Sequence, residues 1–373
     1  MPLSIFIDAL PFNEITENYS QWFEDMQVSP LLPNIAYSSS LHWQLYCNKY
    51  PDERGVLVDW VKEPEKKLSI RVLSSILSPL DSMGNLGFLS RKVLNRIIYR
   101  KNVFANIPFK FRKYFSQKGT YLFWNKKTYE REEIFRDYVV VSQDEGHLSF
   151  ETTIEKLKNS VEQKNKNIFA VFGFADALGH KCRRGEKYSQ RLKPYMEVLT
   201  DVINCYRKLN PNEEILIVSD HGMSTVKVKV DLDLEQKFGK QSKKTYIAYC
   251  DTAVMCIFTE NDKLKEEIES YLVTRNEGHL LDEKEREFFG TTDKKFGDII
   301  YILKEGNVFT NNWFGKSIRK ANPDGSGMHG FWPEEEAHDQ MACIVLINGK
   351  SKLDRIYNYP SAHKIIKQVM SGV

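Results

Sequence analysis

An apolar segment that ends abruptly in polar residues constrains the fold of this chain most strongly. Residues 214–218 lead directly into Ser219, Asp220, His221 and Gly222. Such a run is typical of a buried strand, and the carboxyl ends of strands in open α/β sheets line the crevice where ligands bind. We expect Gly222 to permit a sharp turn because glycine tolerates positive φ. For Asp-His-Gly taken alone, the start of an ordinary loop is an equally good explanation.

Two other segments have the same design. The apolar residues 4–7 precede Asp8, and residues 168–175 precede Asp176, which is followed four residues later by His180. We expect three neighbouring strands to deliver these acids to one edge of a sheet, which favours a site for divalent cations. The periodicity also predicts a helix over residues 186–209 and a last core strand over residues 341–347.

The composition sets limits on the class of protein. A chain of 373 residues with 42% hydrophobic residues is long enough for one large α/β domain with insertions, or for two domains. The formal net charge of +3 says little about partners. The apolar N-terminal residues are expected to form a first strand rather than a signal peptide, and no apolar run is long enough to cross a bilayer.

The six cysteines are scattered and include no CxxC pair. This pattern predicts reduced thiols in a cytosolic protein. Cys250 and Cys256 are candidates for metal ligands, but they flank an apolar, strand-like segment, so core packing is the favoured interpretation.

Five short motifs follow one another along the chain, and their order is specific where each alone is weak. They are Asp8, Ser38, residues 176–180, residues 219–223 and residues 327–330. This set resembles the metal-site motifs of the alkaline phosphatase superfamily, and most of all those of its nucleotide pyrophosphatase/phosphodiesterase branch. The resemblance runs from about residue 5 to about residue 345. It implies a three-layer α/β/α core with a central, mostly parallel sheet and inserted lid and cap segments.

The resemblance also implies a centre for two divalent metal ions. The ligands of the first ion would be Asp8, Asp220, His221 and the Ser38 oxygen, and those of the second would be Asp176, His180 and His329. Mixed carboxylate and imidazole ligation suits Zn²⁺, and Mn²⁺ is compatible with it.

The serines at positions 38–40 stand where a helix is predicted to begin. A hydroxyl there would lie at a positive helix N-terminus that favours an oxyanion, although serines in this position can simply cap the helix. In the branch that the chain resembles, the nucleophile lies thirteen residues before the proline of a Tyr-Pro pair. Counting back from Pro51 reaches Ser38. The resemblance therefore implies that Ser38 is the nucleophile, with Ser39 as second choice.

The chain departs from the branch around this serine. Serine replaces the usual threonine, and Cys47 and Asn48 replace a Thr-Gly pair. Asp59 occupies the position of an asparagine that helps to hold the phosphoryl oxygen, and an anionic side chain would repel phosphate unless it is protonated. His42 matches a histidine of the branch and is expected either to contact the substrate or to pack on its helix. Asp59 and Arg183 are further candidates for contacting the substrate.

Changes in composition divide the chain into five segments. The catalytic core is predicted in residues 1–61, 129–226 and 323–373, with a basic amphipathic insertion or lid in residues 62–128 and a small α/β cap in residues 227–322. Nine Lys/Arg residues and no acid lie between residues 91 and 118. Residues 89–118 are therefore expected either to pack as a lid on the core or to contact an anionic membrane surface. Interleaved aromatic residues invite a nucleic-acid interpretation, but no binding motif accompanies them and we expect no nucleic-acid partner.

We expect a hydrolase that cleaves a phosphodiester or phosphoanhydride, of nucleotide or nucleotide-sugar type, through a covalent phosphoseryl intermediate. One alternative is a phosphomonoesterase or phosphate-group transferase built on the same metal core. Another is a membrane-surface or partner-binding protein with a vestigial metal site. The expected location is the cytoplasm, in solution or peripheral to a membrane.

Overall fold

A computed structural model describes most of the chain. The described residues are 2–58, 60–64, 68–83, 86–87, 89–91, 93, 97, 107–117, 126–143, 149–163, 167–182, 185–309 and 327–371. Within them, no helix is both long enough and apolar enough to cross a bilayer.

Sixteen strands are assigned in this part of the chain. They are β1 Leu3–Ile7, β2 Met26–Leu31, β3 Trp60–Val61, β4 Ser116–Gln117, β5 Val139–Ser142, β6 Ile168–Phe172, β7 Ile215–Val218, β8 Ser224–Thr225, β9 Val228–Val230, β10 Tyr246–Asp251, β11 Val254–Thr259, β12 Gly278–Leu280, β13 Ile299–Leu303, β14 Asn307–Phe309, β15 Gly327–Met328 and β16 Ala342–Ile347.

Thirteen α-helices have bounds in the same residues. They are α1 Phe12–Asn18, α2 Ser38–Cys47, α3 Pro51–Arg54, α4 Leu68–Leu77, α5 Phe109–Arg112, α6 Lys126–Tyr129, α7 Phe150–Glu162, α8 Phe174–Gly179, α9 Glu186–Leu209, α10 Leu234–Phe238, α11 Asp262–Val273, α12 Glu283–Phe288 and α13 Tyr359–Ser371. Short 3-10 turns cover Ser78–Ser82, Glu133–Phe135 and Lys294–Phe296.

A six-stranded sheet in the order β2-β16-β7-β1-β6-β5 forms the centre of the molecule. Strands β7, β1, β6 and β5 are parallel, whereas β16 runs antiparallel to both β7 and β2. Every residue of β1, β6 and β7 is buried, which explains why their sequences are apolar apart from Ser4.

Helices cover both faces of this sheet. Side chains from α7 and α9 pack with alternate residues of β1 such as Ile5, while α2 and α13 pack on the opposite face with Phe6. The predicted three-layer α/β/α core with a mostly parallel central sheet is thus confirmed.

The segment between β3 and β4 leaves the core and returns to it, because these two strands pair with each other. The Asp81 carboxylate holds this segment together. Its Oδ1 accepts a hydrogen bond from Arg91 Nη1 at 2.8 Å and from the Phe109 amide at 3.0 Å, and its Oδ2 accepts one from the Lys110 amide at 2.9 Å. Phe111 and Phe115 bury their rings against β3 and against Phe258 of β11.

A second sheet, in the order β10-β11-β13-β12, lies within residues 246–303 and is antiparallel throughout. Asp52 of α3 connects the core to this region. Its carboxylate accepts hydrogen bonds from the Thr292 amide at 3.0 Å, the Thr292 hydroxyl at 2.7 Å and the Asp293 amide at 3.0 Å.

Candidate metal centre

Four core segments deliver polar side chains to one edge of the central sheet. Asp8 follows β1, Asp176 lies in the first turn of α8 just after β6, and Asp220 follows β7 by two residues. Parallel strands end at the same edge, so acids placed directly after them converge. His329 reaches the same place from the short strand β15, which pairs with β8.

The first group of side chains is fully enclosed. Ligand atoms of Asp8, Asp220 and His221 lie within 4.8 Å of one another. His221 Nε2 is 3.4 Å from Asp8 Oδ1 and 3.5 Å from Asp220 Oδ2. Asp220 Oδ1 accepts hydrogen bonds from the backbone amides of Ala9 and His221, and this leaves Oδ2 directed at the group.

The second group is more open to solvent. Ligand atoms of Asp176, His180 and His329 also lie within 4.8 Å of one another. Asp176 Oδ1 is 3.1 Å from His180 Nε2 and 3.6 Å from His329 Nε2. The His180 side chain is 37% exposed whereas that of His221 is 1% exposed. A substrate would therefore reach the centre from the side of the second group.

The two groups touch each other through their imidazoles. The rings of His221 and His329 are stacked, with centroids 3.8 Å apart and planes 10° apart. The six side chains therefore form one contiguous cluster that consists of these two groups.

Backbone carbonyls orient two of the imidazole rings. Nδ1 of His180 lies 3.1 Å from the Gly327 carbonyl oxygen, and Nδ1 of His221 lies 2.8 Å from that of Gly222. A proton held on Nδ1 by such a carbonyl leaves the Nε2 lone pair facing the carboxylates, which is the tautomer that ligates a metal.

The electrostatics of the cluster favour an added positive charge. Burial raises the pKa of Asp8, and repulsion from Asp220 and Asp176 raises this pKa further. Burial likewise raises the pKa of Asp220, although His221 opposes the shift. Burial alone would raise the pKa of Asp176, but His180 and His329 bring it below its ordinary value. Burial opposes protonation of His180, yet Asp176 raises its pKa to about 9.

The donor set fits divalent metal ions. Three carboxylates and three imidazoles converge, and buried charges of this kind are stable when they are paired or coordinate a cation. Asp220 Oδ2 is buried and has no hydrogen-bond partner within the described residues. A cation in the first group would satisfy this oxygen and relieve the carboxylate repulsion.

The Ser38 hydroxyl lies against the first group. Ser38 is the first residue of α2, and its Oγ donates a hydrogen bond to Asp8 Oδ1 at 2.9 Å and lies 2.9 Å from His221 Nε2. The N-cap of α2 is Tyr37, and no side chain caps the helix there. The hydroxyl is therefore directed at the metal ligands rather than at the helix backbone, while the positive helix N-terminus lies beside it.

Tyr37 is a site residue that the sequence motifs do not reveal. Its ring stands edge-on to His329 with centroids 5.4 Å apart, and its hydroxyl donates a hydrogen bond to the backbone oxygen of Asp251. Gly330 has a φ of +82°, and an added Cβ there would lie 2.9 Å from the Tyr37 ring. The position of Tyr37 directly before Ser38 is the one signal in the sequence that could have identified Tyr37 as a site residue.

The structure corrects two expectations. Gly222 does not have positive φ; glycine is needed because an added Cβ would lie 2.4 Å from the Asp339 carbonyl oxygen. His42 does not face a substrate: it is fully buried, with its ring centroid 4.6 Å from that of Phe6 and 5.1 Å from that of Tyr129. Burial lowers the pKa of His42, as expected for a neutral core imidazole.

Of the four remaining candidate residues, the structure describes only the two cysteines. Asp59 and Arg183 lie outside the described residues. Cys250 and Cys256 lie on the paired strands β10 and β11, and neither belongs to a group of metal-ligating side chains among the described residues.

Comparison with known proteins places this geometry in a family. The sequence profile of type I phosphodiesterases/nucleotide pyrophosphatases matches residues 97–332, which is more than half of the chain. The chain belongs to this family. It is accordingly a hydrolase of the phosphodiesterase/nucleotide pyrophosphatase kind. The matched residues include five of the seven metal-ligand candidates; the other two, Asp8 and Ser38, precede them.

Solved structures agree in fold. Human ectonucleotide pyrophosphatase/phosphodiesterase 5 superposes with a TM-score of 0.61 at 11% identity, covering 99% of this chain and 94% of that one. The murine protein gives a TM-score of 0.59, and its inactive variant in complex with AMP gives 0.60, both at 11% identity and with the same coverage. No curated protein sequence matches the chain significantly.

Proposed function

We propose that this protein hydrolyses a phosphodiester or phosphoanhydride, of nucleotide or nucleotide-sugar type, with Ser38 as nucleophile and two divalent ions as cofactors. The contact of the Ser38 hydroxyl with Asp8 and His221, inside a cluster of six potential ligands, carries the proposal. The AMP complex of the murine structural neighbour supports a nucleotide-type substrate. Mixed oxygen and nitrogen ligands favour Zn²⁺, with Mn²⁺ as the alternative.

The reaction would proceed in two displacements at phosphorus. Two bound divalent ions would polarise the phosphoryl oxygens and lower the pKa of the serine hydroxyl. In the first displacement Ser38 Oγ would release its proton to solvent and form a bond to phosphorus, while the bond to the leaving oxygen breaks and that oxygen takes a proton from solvent. In the second, a water oxygen attacks phosphorus from the opposite side and Ser38 Oγ leaves and regains a proton. Two inversions give net retention of configuration.

The test compares two neighbouring serines with one soluble substrate, bis(p-nitrophenyl) phosphate. Ser38→Ala should reduce kcat/KM by about 10⁴-fold or more, because it removes the nucleophile. Ser39→Ala is the matched control and should stay within about threefold of wild type. Loss of activity in Ser39→Ala alone would reassign the nucleophile, and absence of turnover by wild type in the presence of Zn²⁺ or Mn²⁺ would favour a vestigial site.

Phosphomonoesterase or phosphate-group transferase activity is the second candidate, since it requires the same metal core. Turnover of p-nitrophenyl phosphate in place of the diester would favour a monoesterase. Transfer of the phosphoryl group to an added alcohol at the expense of water would favour a transferase.

We also propose that the protein works in the cytoplasm and that residues 89–118 contact an anionic membrane surface. All six cysteines are free, as expected for a reducing compartment. Within the described part of this stretch, Leu89, Val93 and Ile97 are exposed. Phe109, Phe111 and Phe115 are instead buried, so lipid contact through these aromatic residues is not supported. Fractionation of expressing cells, with a high-salt wash of the membrane pellet, tests the location.

A further inference from the structure

Two helical stretches of the insertion present apolar side chains to solvent. In α4 these are Leu68, Val72 and Ile76, which are 69%, 51% and 67% exposed. In the second stretch, the helical residues described between 86 and 97, they are Leu86, Leu89, Val93 and Ile97, which are 50–67% exposed. We call these seven side chains the outward apolar surface.

Helix α4 is turned with its apolar stripe away from the protein. Ile70 and Ser74 are its buried residues, and α4 packs against α5 and against the 3-10 turn at Ser78–Ser82. At about 100° per residue, Leu68, Val72 and Ile76 fall within about 80° of one another, on the side opposite to Ile70 and Ser74. An ordinary surface helix places such a stripe against the core.

The second stretch has the same orientation. A Cβ added to Gly87 would lie 2.1 Å from the Leu80 carbonyl oxygen, and Arg91 is bonded to Asp81, so these two residues face the insertion. At about 100° per helical residue, the spacing of Leu86, Leu89, Val93 and Ile97 corresponds to an arc of about 80° opposite to Gly87 and Arg91. The inner side thus carries Ile70 and Ser74 in α4, and Gly87 and Arg91 in the second stretch.

The docking of the insertion keeps these stripes outside. The inner helix α5 is fixed to the core because the Arg112 guanidinium stacks 4.1 Å above the Trp60 ring and Phe115 packs against Phe258. The contacts of Asp81 then tie α5, the 3-10 turn and Arg91 together. Within the part of the chain that the structure describes, nothing covers the outward apolar surface, so a partner from outside this part would have to bury it.

The charge of the insertion selects the partner. Residues 68–117 contain nine Lys/Arg and one acid, Asp81. The Asp81 carboxylate is paired with Arg91 and accepts hydrogen bonds from two backbone amides of α5. Arg71 is exposed on α4, beside the stripe, and Lys110 is exposed on α5. Apolar stripes bordered by basic residues match an anionic bilayer, in which acyl chains take up the stripes and headgroups meet the cations.

We propose that α4 and the second stretch form a two-helix surface that inserts into an anionic membrane leaflet. This inference rests on the proposed membrane contact of residues 89–118 and extends it to α4, which lies outside that range. The inserted side chains are those of the outward apolar surface, and the contact does not involve the metal centre.

The test is co-sedimentation of the full chain with vesicles of phosphatidylcholine alone or mixed equally with phosphatidylserine. The wild type should bind the anionic vesicles only, and the variant L68S/V72S/I76S should bind them at least about tenfold more weakly. The matched control is V273S/F288S, which removes apolar side chains of similar exposure from α11 and α12 in the cap; it should bind as wild type does. A second readout is Ile76→Trp, whose fluorescence should be quenched by lipids brominated in their acyl chains.

The possible results are separable. Equal binding by L68S/V72S/I76S and wild type, or an unquenched tryptophan at position 76, would overturn the insertion of α4 into the membrane. The proposed membrane contact of residues 89–118 would then still stand. No binding by wild type would overturn both. A concentration-dependent dimer that L68S/V72S/I76S abolishes would show that a second copy covers the surface instead of lipid. Hydrolysis of bis(p-nitrophenyl) phosphate by that variant should equal wild type, so failure of the proposed chemistry would be seen independently.

Discussion

Replacement of Asp8 by asparagine should have opposite effects on the metal-free and the metal-loaded protein. Without metal, Asp8 and Asp220 are buried carboxylates that repel each other, and the substitution removes one of the two charges. With metal, the same substitution weakens a ligand. If Asp8 had only a structural role, the substitution would change the free energy of unfolding in the same direction with and without metal.

The magnitude follows from the geometry. The ligand atoms of the first group lie within 4.8 Å of one another, and two unit charges at that distance repel by about 3.5 kcal/mol at an effective dielectric constant of about 20. Partial protonation of Asp8 relieves some of this repulsion. We therefore expect Asp8→Asn to raise the free energy of unfolding of the metal-free protein by about 1–3 kcal/mol.

The effect has a defined pH dependence. Because the pKa of Asp8 is raised in the folded state, the folded protein retains a proton that the unfolded chain loses above its pKa of about 3.9. The stability of metal-free wild type should thus fall as the pH rises from about 4 towards the folded pKa of Asp8. The advantage of Asp8→Asn should grow over the same range.

Urea unfolding measures the effect of Asp8→Asn on the free energy of unfolding in both states, with protein treated with a chelator and with the same protein reloaded with Zn²⁺. Zinc at a thousand times its dissociation constant should stabilise wild type by about 4 kcal/mol for each site, and Asp8→Asn should lose most of one such increment. Asp25→Asn, which affects a surface ion pair with Arg207, is the control and should change either state by less than about 1 kcal/mol. A metal-free Asp8→Asn that is less stable than wild type, or an undiminished zinc increment, would refute the reasoning.

Three further substitutions test particular contacts. Gly222→Ala should lower the free energy of unfolding by about 1–3 kcal/mol, because its Cβ would overlap the Asp339 carbonyl; unfolding in urea checks this, and an unchanged midpoint would contradict it. His42→Phe should leave kcat/KM within about twofold of wild type, since the imidazole packs among aromatic rings; a hundredfold loss in a diesterase assay would restore its role in substrate binding. Asp52→Ala should cost about 1–3 kcal/mol by removing three hydrogen bonds to residues 292 and 293, and calorimetry showing no change in melting temperature would count against that contact.

Much of the core could be predicted from local sequence. Buried parallel strands read as apolar runs, so β1, β6 and β7 and the acids that follow them were evident. The predicted helix at residues 186–209 coincides with α9. The predicted strand at residues 341–347 corresponds to β16, but its antiparallel direction depends on long-range pairing and is not visible in its own residues.

The unpredicted features depend on contacts between distant segments. Strand β2 contains Pro30 and lies at the edge of the sheet. Proline has no backbone N–H group, and an edge strand tolerates this because it pairs with a neighbouring strand on one side only. Tyr37 meets His329 only after the chain has folded. Periodicity identifies apolar stripes in the insertion but not the side they face, and that side is decided by Asp81 and Gly87.

The metal content of the purified protein tests the central claim most directly. After dialysis against buffer with Zn²⁺ and removal of free metal, elemental analysis should find two equivalents of zinc per wild-type chain. The variant His329→Ala, which changes the second group alone, should retain about one equivalent. A wild-type chain that binds no zinc, manganese or other divalent ion would contradict the account, as would a His329→Ala variant that still binds two equivalents.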